Sequence, residues 1–342
     1  MPHLTQASAE LFRRTPDETF PSLEMLFSYC RDQREEGRDL WLSPKGFNVV
    51  PDGDELLLAS EGAQPFSLND WSFSQLCGLS RISKETVNRL SPETAAKVFS
   101  ETLPRTNKPI QLFHAGSWLR SVHGVSYSRL FNADLLEMLK EVATDFGPPP
   151  VGINGATGLY AGEQDMFCFL IDPTGWVEIE KEAFAPGFFV WNSEVGKRSL
   201  GVSTFWFQAV CRNHIVWDAA DIIDVTRKHT GDIDEALDDI RQAIERLVVL
   251  RDERKDGFAR VIRRAMDESL GEDSDDALEA LREKGVGKSL ARRAIEMAQT
   301  QGRLTVFSVV DALTRLSGEL PYAGERLEAD LKAASFLKLV SA

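Results

Sequence analysis

The stretch FFVWNSEVGKRSLGVSTFWFQAVCRNHIVWD, Phe188 to Asp218, decides how the chain is read. It is dense in aromatic and β-branched residues, which suit a pleated, buried or half-buried surface. Its one interruption is Asn192 to Gly196. Gly196 and Gly201 bracket Lys197 to Leu200 and permit a turn with positive φ, while Asn192, Ser193 and Glu194 can bond their own backbone ahead of it. The stretch therefore predicts long antiparallel strands. Successive strand residues face opposite ways, so Thr204, Trp206 and Gln208 share one face and Phe205, Phe207 and Ala209 the other. A sheet covered by helices on one side only would leave one aromatic row open.

Outward from this stretch, GLYAGEQDMFCFLID and WVEIE read as further strands, as does the RNHIVW segment inside it. The triple proline Pro148 to Pro150 stops the helical NADLLEMLKEVATDF and marks an internal boundary. Before it come a helix after Ser22, a hairpin around Pro51-Asp52-Gly53-Asp54, a helical cluster from Ser67 to Leu103 and two strands joined at Ala115-Gly116-Ser117. After Asp218 the pattern is helical: Leu237, Ile240, Ile244, Leu247 and Val248 form an apolar stripe. Further helices are expected near Asp275–Glu283, Ser289–Gln301, Thr305–Ser317 and Pro321–Leu339. The predicted class is α+β, an antiparallel sheet core with an N-terminal helical segment and a C-terminal helical region. The regions are an N-terminal α/β region with a helical cluster (1–147), the main antiparallel sheet (148–225) and the helical region (226–342).

With 342 residues, 43% of them hydrophobic, the chain can fill more than one core, and disorder over most of its length is excluded. A formal net charge of −14 opposes wholesale coating of nucleic acid or anionic membrane, so any phosphate contact must be a local patch. Cys30, Cys77, Cys168 and Cys211 form no CxxC pair and signal neither a zinc ribbon nor a disulfide framework, which fits a reducing cytoplasm. No secretion signal and no membrane-spanning run are recognised, so no membrane partner is expected.

Catalytic motifs are sparse. GVGKS, Gly285 to Ser289, echoes a phosphate-binding loop, but Arg282 stands where a Walker A glycine belongs, and the segment reads as a turn between helices, with Gly285 ending one and Ser289 capping the next. Ser72 to Leu90 has the rhythm of a helix-turn-helix with its turn at Gly78, offering Lys84, Thr86, Asn88 and Arg89 to a groove; the simpler reading is two packed helices. Asp218, Asp221 and Asp224 recur three apart and would line one side of a helix, either holding a divalent cation or complementing the helix dipole. The five histidines show no HxH or HExxH spacing and no GxSxG elbow exists. No enzyme, metal or cofactor is indicated.

What remains is charge distribution. No carboxylate lies between Glu194 and Asp218, a span holding Lys197, Arg198 and Arg212. None lies from Thr102 to Ala133, a span holding Arg105, Lys108, Arg120 and Arg129. Together they would form a basic, aromatic-bearing surface, the combination that binds single strands by stacking and phosphate neutralisation.

GLYAGEQDMFCFLID and FFVWNSEVGKRSLGVSTFWFQAVCRNHIVW, with SFSQLCGLSRISKETVNRLSPETAAKV and VFSVVDALTRLSGELPYAGERLE, resemble the domain of unknown function 932 family of prophage and plasmid proteins. The resemblance implies mobile-element biology and, by analogy with annealing proteins, single-stranded DNA binding in replication, recombination or repair by a homo-oligomer. On that reading Lys197, Arg198 and Arg212 take phosphates, with Arg120 beside them, Trp206 stacks a base, Asn192 and Asn213 orient the ligand, and Glu194 fixes a basic neighbour. The alternative is an interaction or oligomerisation module whose acidic helices, from Ile222 onward, are the working surface.

Overall fold

A computed structural model of the protein describes residues 17–60, 62–151, 157–180, 182–208, 224–249, 251–320 and 322–340. The fold is α+β and is built on two sheets. The larger is antiparallel throughout, in the order β1 (Glu18–Thr19), β8 (Leu159–Ala161), β9 (Met166–Ile171), β11 (Glu182–Asn192), β12 (Leu200–Gln208) and β13 (Asp224–Arg227), with β10 (Val177–Ile179) also on β11. Its spine is the β11–β12 hairpin predicted from the opening stretch, in a register that sets Trp191 opposite Gly201 and Phe184 opposite Gln208. The RNHIVW segment lies outside the described residues.

Helices cover this sheet on both sides. Phe188, Val190 and Val202 share a core with α1 (Leu23–Glu36), α5 (Asn132–Val142) and α6 (Ile233–Val249). Phe189, Phe205 and Phe207 share a second core with α7 (Arg251–Asp267), α8 (Ser274–Glu283), α9 (Lys288–Gln301), α10 (Val306–Ser317) and α11 (Ala323–Ala334). Every residue of β12 is buried. The expectation of an open aromatic row is thus corrected. Aromatics on both faces of LGVSTFWFQ are the mark of a strand buried on both faces, because each side then needs apolar partners.

The smaller, mixed sheet runs β2 (Gly37–Leu42), β6 (Ile110–Ala115), β7 (Trp118–His123), β5 (Ala63–Leu68), β4 (Glu55–Ser60), β3 (Phe47–Asp52), with β5 and β7 parallel. The predicted hairpins form here, turning at Gly53 (φ 59°) and Gly116 (φ 54°), where only glycine adopts a left-handed backbone without strain. Phe47, Leu56, Leu58, Phe66, Leu112 and Leu119 pack with α2 (Asp70–Ser80), α3 (Lys84–Val87) and α4 (Pro92–Thr102). Strand β5 was not expected, since Ser67 reads as the start of the helical cluster; the helix begins only at Asp70, capped by Asn69.

The cores do not divide at the triple proline. Helices α1 and α5 precede it yet pack against β8, β9, β11 and β12. The large sheet and the C-terminal helices, separate regions in the sequence reading, likewise share their cores. Apolar stripes show that a helix buries a face but not which sheet receives it.

The helix-turn-helix reading gives way to packed helices: α3 is a single turn, too short to serve as a recognition helix, Lys84 pairs with Asp70, and Gly78 lies inside α2, which ends at Arg81 in left-handed geometry (φ 57°). The GVGKS segment is a turn, with Gly285 at φ 77°; Gly287, not Ser289, is the N-cap of α9. No described helix is long and apolar enough to cross a membrane.

Candidate nucleic-acid interface

The two acid-free spans do meet, at the loop that joins β11 to β12, and they meet as a clamp between the sheets. Asn192 is fully buried and donates from Nδ2 to Leu130 O at 2.9 Å and Asn132 Oδ1 at 2.8 Å. Glu194 Oε1 accepts from the Asn132 backbone N–H at 2.8 Å, and Oε2 forms an ion pair with Arg120 Nη2 at 3.2 Å. Tyr127 OH and Arg129 donate to the Glu194 carbonyl, and Trp71 Nε1 donates to Val195 O at 2.7 Å. Arg129 also holds Asp39 of β2 and lies over the Phe113 ring, 3.6 Å from its centroid.

This geometry corrects three assignments. Asn192 orients Leu130 and Asn132, not a ligand, because both its nitrogen's partners are internal. Arg120, 12% exposed, is committed to Glu194; that carboxylate does fix a basic neighbour, as expected. Trp206 is fully buried, its ring stacked on Phe258 of α7, and has no face to offer a base. Arg212 and Asn213 lie outside the described residues, as do Asp218 and Asp221. Asp224 opens strand β13 instead of joining a helix, so the helical spacing that suggested an acidic row does not extend to it.

Lys197 and Arg198 are the assigned cations that reach an open cleft. This cleft, about 390 Å³, is lined by Phe167, Phe189, Trp191, Lys197, Arg198, Ser199, Ser203, Thr226, Glu328 and Leu331. Lys197 is exposed, with its ammonium 4.7 Å from the centre of the Trp71 ring. Arg198 Nε donates to the buried Asp165 Oδ2 at 2.8 Å, and its Nη2 pairs with Glu328 Oε1 at 3.0 Å. Burial works against its charge, but the two carboxylates prevail and hold the guanidinium above its ordinary pKa.

Trp191 is the aromatic residue that the sequence reading passed over. It is half-buried at the end of β11, inclined to Phe189 with ring centroids 5.2 Å apart, and it lies over Gly201 on the neighbouring strand. A Cβ at 201 would overlap the indole. The pairing of Trp191 with a glycine directly across the hairpin was the available signal: a missing side chain makes room for a large ring to lie flat. Ser199, Ser203 and Thr226 add hydroxyls to the same cleft.

The buried thiols Cys30, Cys77 and Cys168 are free, burial raises the pKa of each, and none lines this cleft. Among the described residues no group of three or more His, Cys, Asp or Glu side chains is arranged to hold a metal ion. The resemblance drawn from the quoted motifs stands on those motifs alone, because no family model matches the chain, and no curated protein or solved structure matches it either.

Proposed function

We propose that the protein binds single-stranded nucleic acid through the Lys197–Arg198–Trp191 cleft, in the mobile-element setting of replication, recombination or repair that the resemblance implies. The observation that carries this reading is the convergence of Lys197, Arg198, one indole and three hydroxyls in a cleft of about 390 Å³ on an otherwise acidic chain, with Glu328 as the carboxylate that pairs with Arg198 there. Cations neutralise phosphates, and an aromatic face stacks any base, so the combination is tolerant of sequence. The volume lies within the range of small-ligand pockets and accommodates one nucleotide unit rather than a duplex. The role first given to Trp206 passes to Trp191.

The test is a fluorescence anisotropy titration of a labelled dT12 oligonucleotide at two salt concentrations, with duplex DNA and RNA beside it. Expected are binding of the single strand that weakens with salt, and at least tenfold weaker binding by Lys197→Glu and by Trp191→Leu. Binding unchanged in both variants would end the assignment.

The expected homo-oligomer has one feature in its favour. Strand β2 is an outer strand of the smaller sheet and carries the exposed Trp41, a surface of the kind that two copies use to pair edge to edge. Light scattering of the full chain and of Trp41→Lys measures this: the variant should lose mass if β2 is the contact.

A further inference from the structure

The two carboxylates on Arg198 differ in kind. Asp165 is fully buried and bonds Nε from behind, an arrangement that fixes the plane of the guanidinium. Gly324, in the first turn of α11, packs on the same group so closely that any side chain there would collide with Nη2. Glu328, one turn further along α11, faces the cleft with its side chain 67% exposed and takes only the outer nitrogen. An exposed pair of this sort contributes little to stability, whereas a phosphate presents more charge and more acceptor oxygens to the same donors.

On the reading of the cleft as a nucleic-acid site, we infer that the Glu328 carboxylate stands where a ligand phosphate binds. Nη2 of Arg198, the Lys197 ammonium and the hydroxyls of Ser199, Ser203 and Thr226 then make up the phosphate subsite, and Trp191 is the platform for the attached base. Arg198 is preorganised by Asp165, so exchanging Glu328 for a phosphate leaves its orientation unchanged. The carboxylate on α11 thereby competes with the ligand and sets the affinity of the resting protein. It also favours anions that bring more charge than one carboxylate. A neutral nucleoside gains nothing from displacing it.

The test compares wild type with Glu328→Gln, a substitution at an exposed position that preserves shape. Probes are dT12, thymidine 5′-monophosphate, thymidine and inorganic phosphate. The expected result is a three- to tenfold gain in dT12 affinity at low salt, because no carboxylate then competes with the phosphate for Arg198. Thymidine should show no gain. A gain shared by the monophosphate supports recognition of any nucleotide phosphate; a gain confined to dT12 supports backbone phosphate; a gain with inorganic phosphate as well supports an anion subsite independent of the base. Wild-type binding of dT12 with no change, or a loss, in Glu328→Gln overturns the subsite while leaving the cleft reading intact. Absence of dT12 binding by both proteins at low salt overturns the cleft reading and the subsite with it.

Discussion

The indole of Trp206 lies parallel to the phenyl ring of Phe258, with centroids 4.1 Å apart and planes 8° from parallel. The contact ties the central hairpin to α7 and closes off a ring that the sequence alone offers as a ligand platform. Trp206 Nε1 has no hydrogen-bond partner among the described residues, so the side chain is held by packing and carries an unsatisfied donor. Trp206→Ala should therefore cost about 3–5 kcal/mol, the usual result of emptying an aromatic site. Trp206→Phe keeps a ring and removes the orphaned N–H, and should stay within about 1.5 kcal/mol of wild type. Urea unfolding checks both, and dT12 affinity should be untouched in the Phe variant.

Gly201 holds the Trp191 ring by having no side chain. Gly201→Ala should force the indole off its strand and cost about 1–3 kcal/mol by overpacking. If Trp191 is the stacking platform, the same variant should lose dT12 affinity to a degree comparable with Trp191→Leu. A Gly201→Ala protein that is destabilised but binds normally would show that the ring serves packing alone.

How much of this was legible beforehand depends on the range of the physics involved. Local rules placed the hairpins at Gly53 and Gly116, and α8 to α10 within one residue of their observed ends, because turns and helix ends are decided by neighbours in sequence. Which sheet a helix covers is decided by distant partners, and there α1 and α5 crossed the expected boundary. The site shows the same division. Lys197 and Arg198 were legible as cations in an acid-free span, but Asp165 and Glu328, which neutralise Arg198, are 33 and 130 positions away from it in the chain. Nothing in local composition announces such partners.

Gly78 illustrates a misread local rule. It reads as the turn of a helix-turn-helix but sits inside α2 with nothing within 4 Å of where a Cβ would be. Gly78→Ala should stabilise the protein by about 0.5–1 kcal/mol through helix propensity and reduced unfolded-state freedom. A thermal melt showing destabilisation would mean that the glycine is needed for conformation.

Glu194 is the centre of the clamp between the sheets, and its removal should be felt as a buried charge left alone. Glu194→Ala strands Arg120, which has a 12% exposed side chain, and should cost about 3–5 kcal/mol. Glu194→Gln keeps an acceptor for the Asn132 N–H and should cost less. In a double-mutant cycle with Arg120→Leu the two changes should be strongly non-additive, since each removes the other's partner. Additive effects would contradict the clamp.

Two histidines flank Tyr127 in the same junction, with His123 stacked on its ring at 3.7 Å and His229 tilted at 5.5 Å. Burial lowers both pKa values, His123 to about 3, and the charge of Arg129 works in the same direction; Glu194 and Asp39 are the acids that face this group through Tyr127 and Arg129. A lowered folded pKa means that the unfolded chain takes up protons first. The stability contribution is therefore complete above about pH 6.5, the unfolded value, and is lost as the pH falls from there toward 3. His123 adds a slope of at most about 1.4 kcal/mol per pH unit within that window, and His229 acts in the same direction. His123→Phe preserves the stack on Tyr127 and cannot be protonated, so its unfolding free energy, measured in urea at pH 7, 5.5 and 4, should match wild type at pH 7 and fall less steeply below it. An unaltered slope would show that acid sensitivity arises elsewhere in the chain.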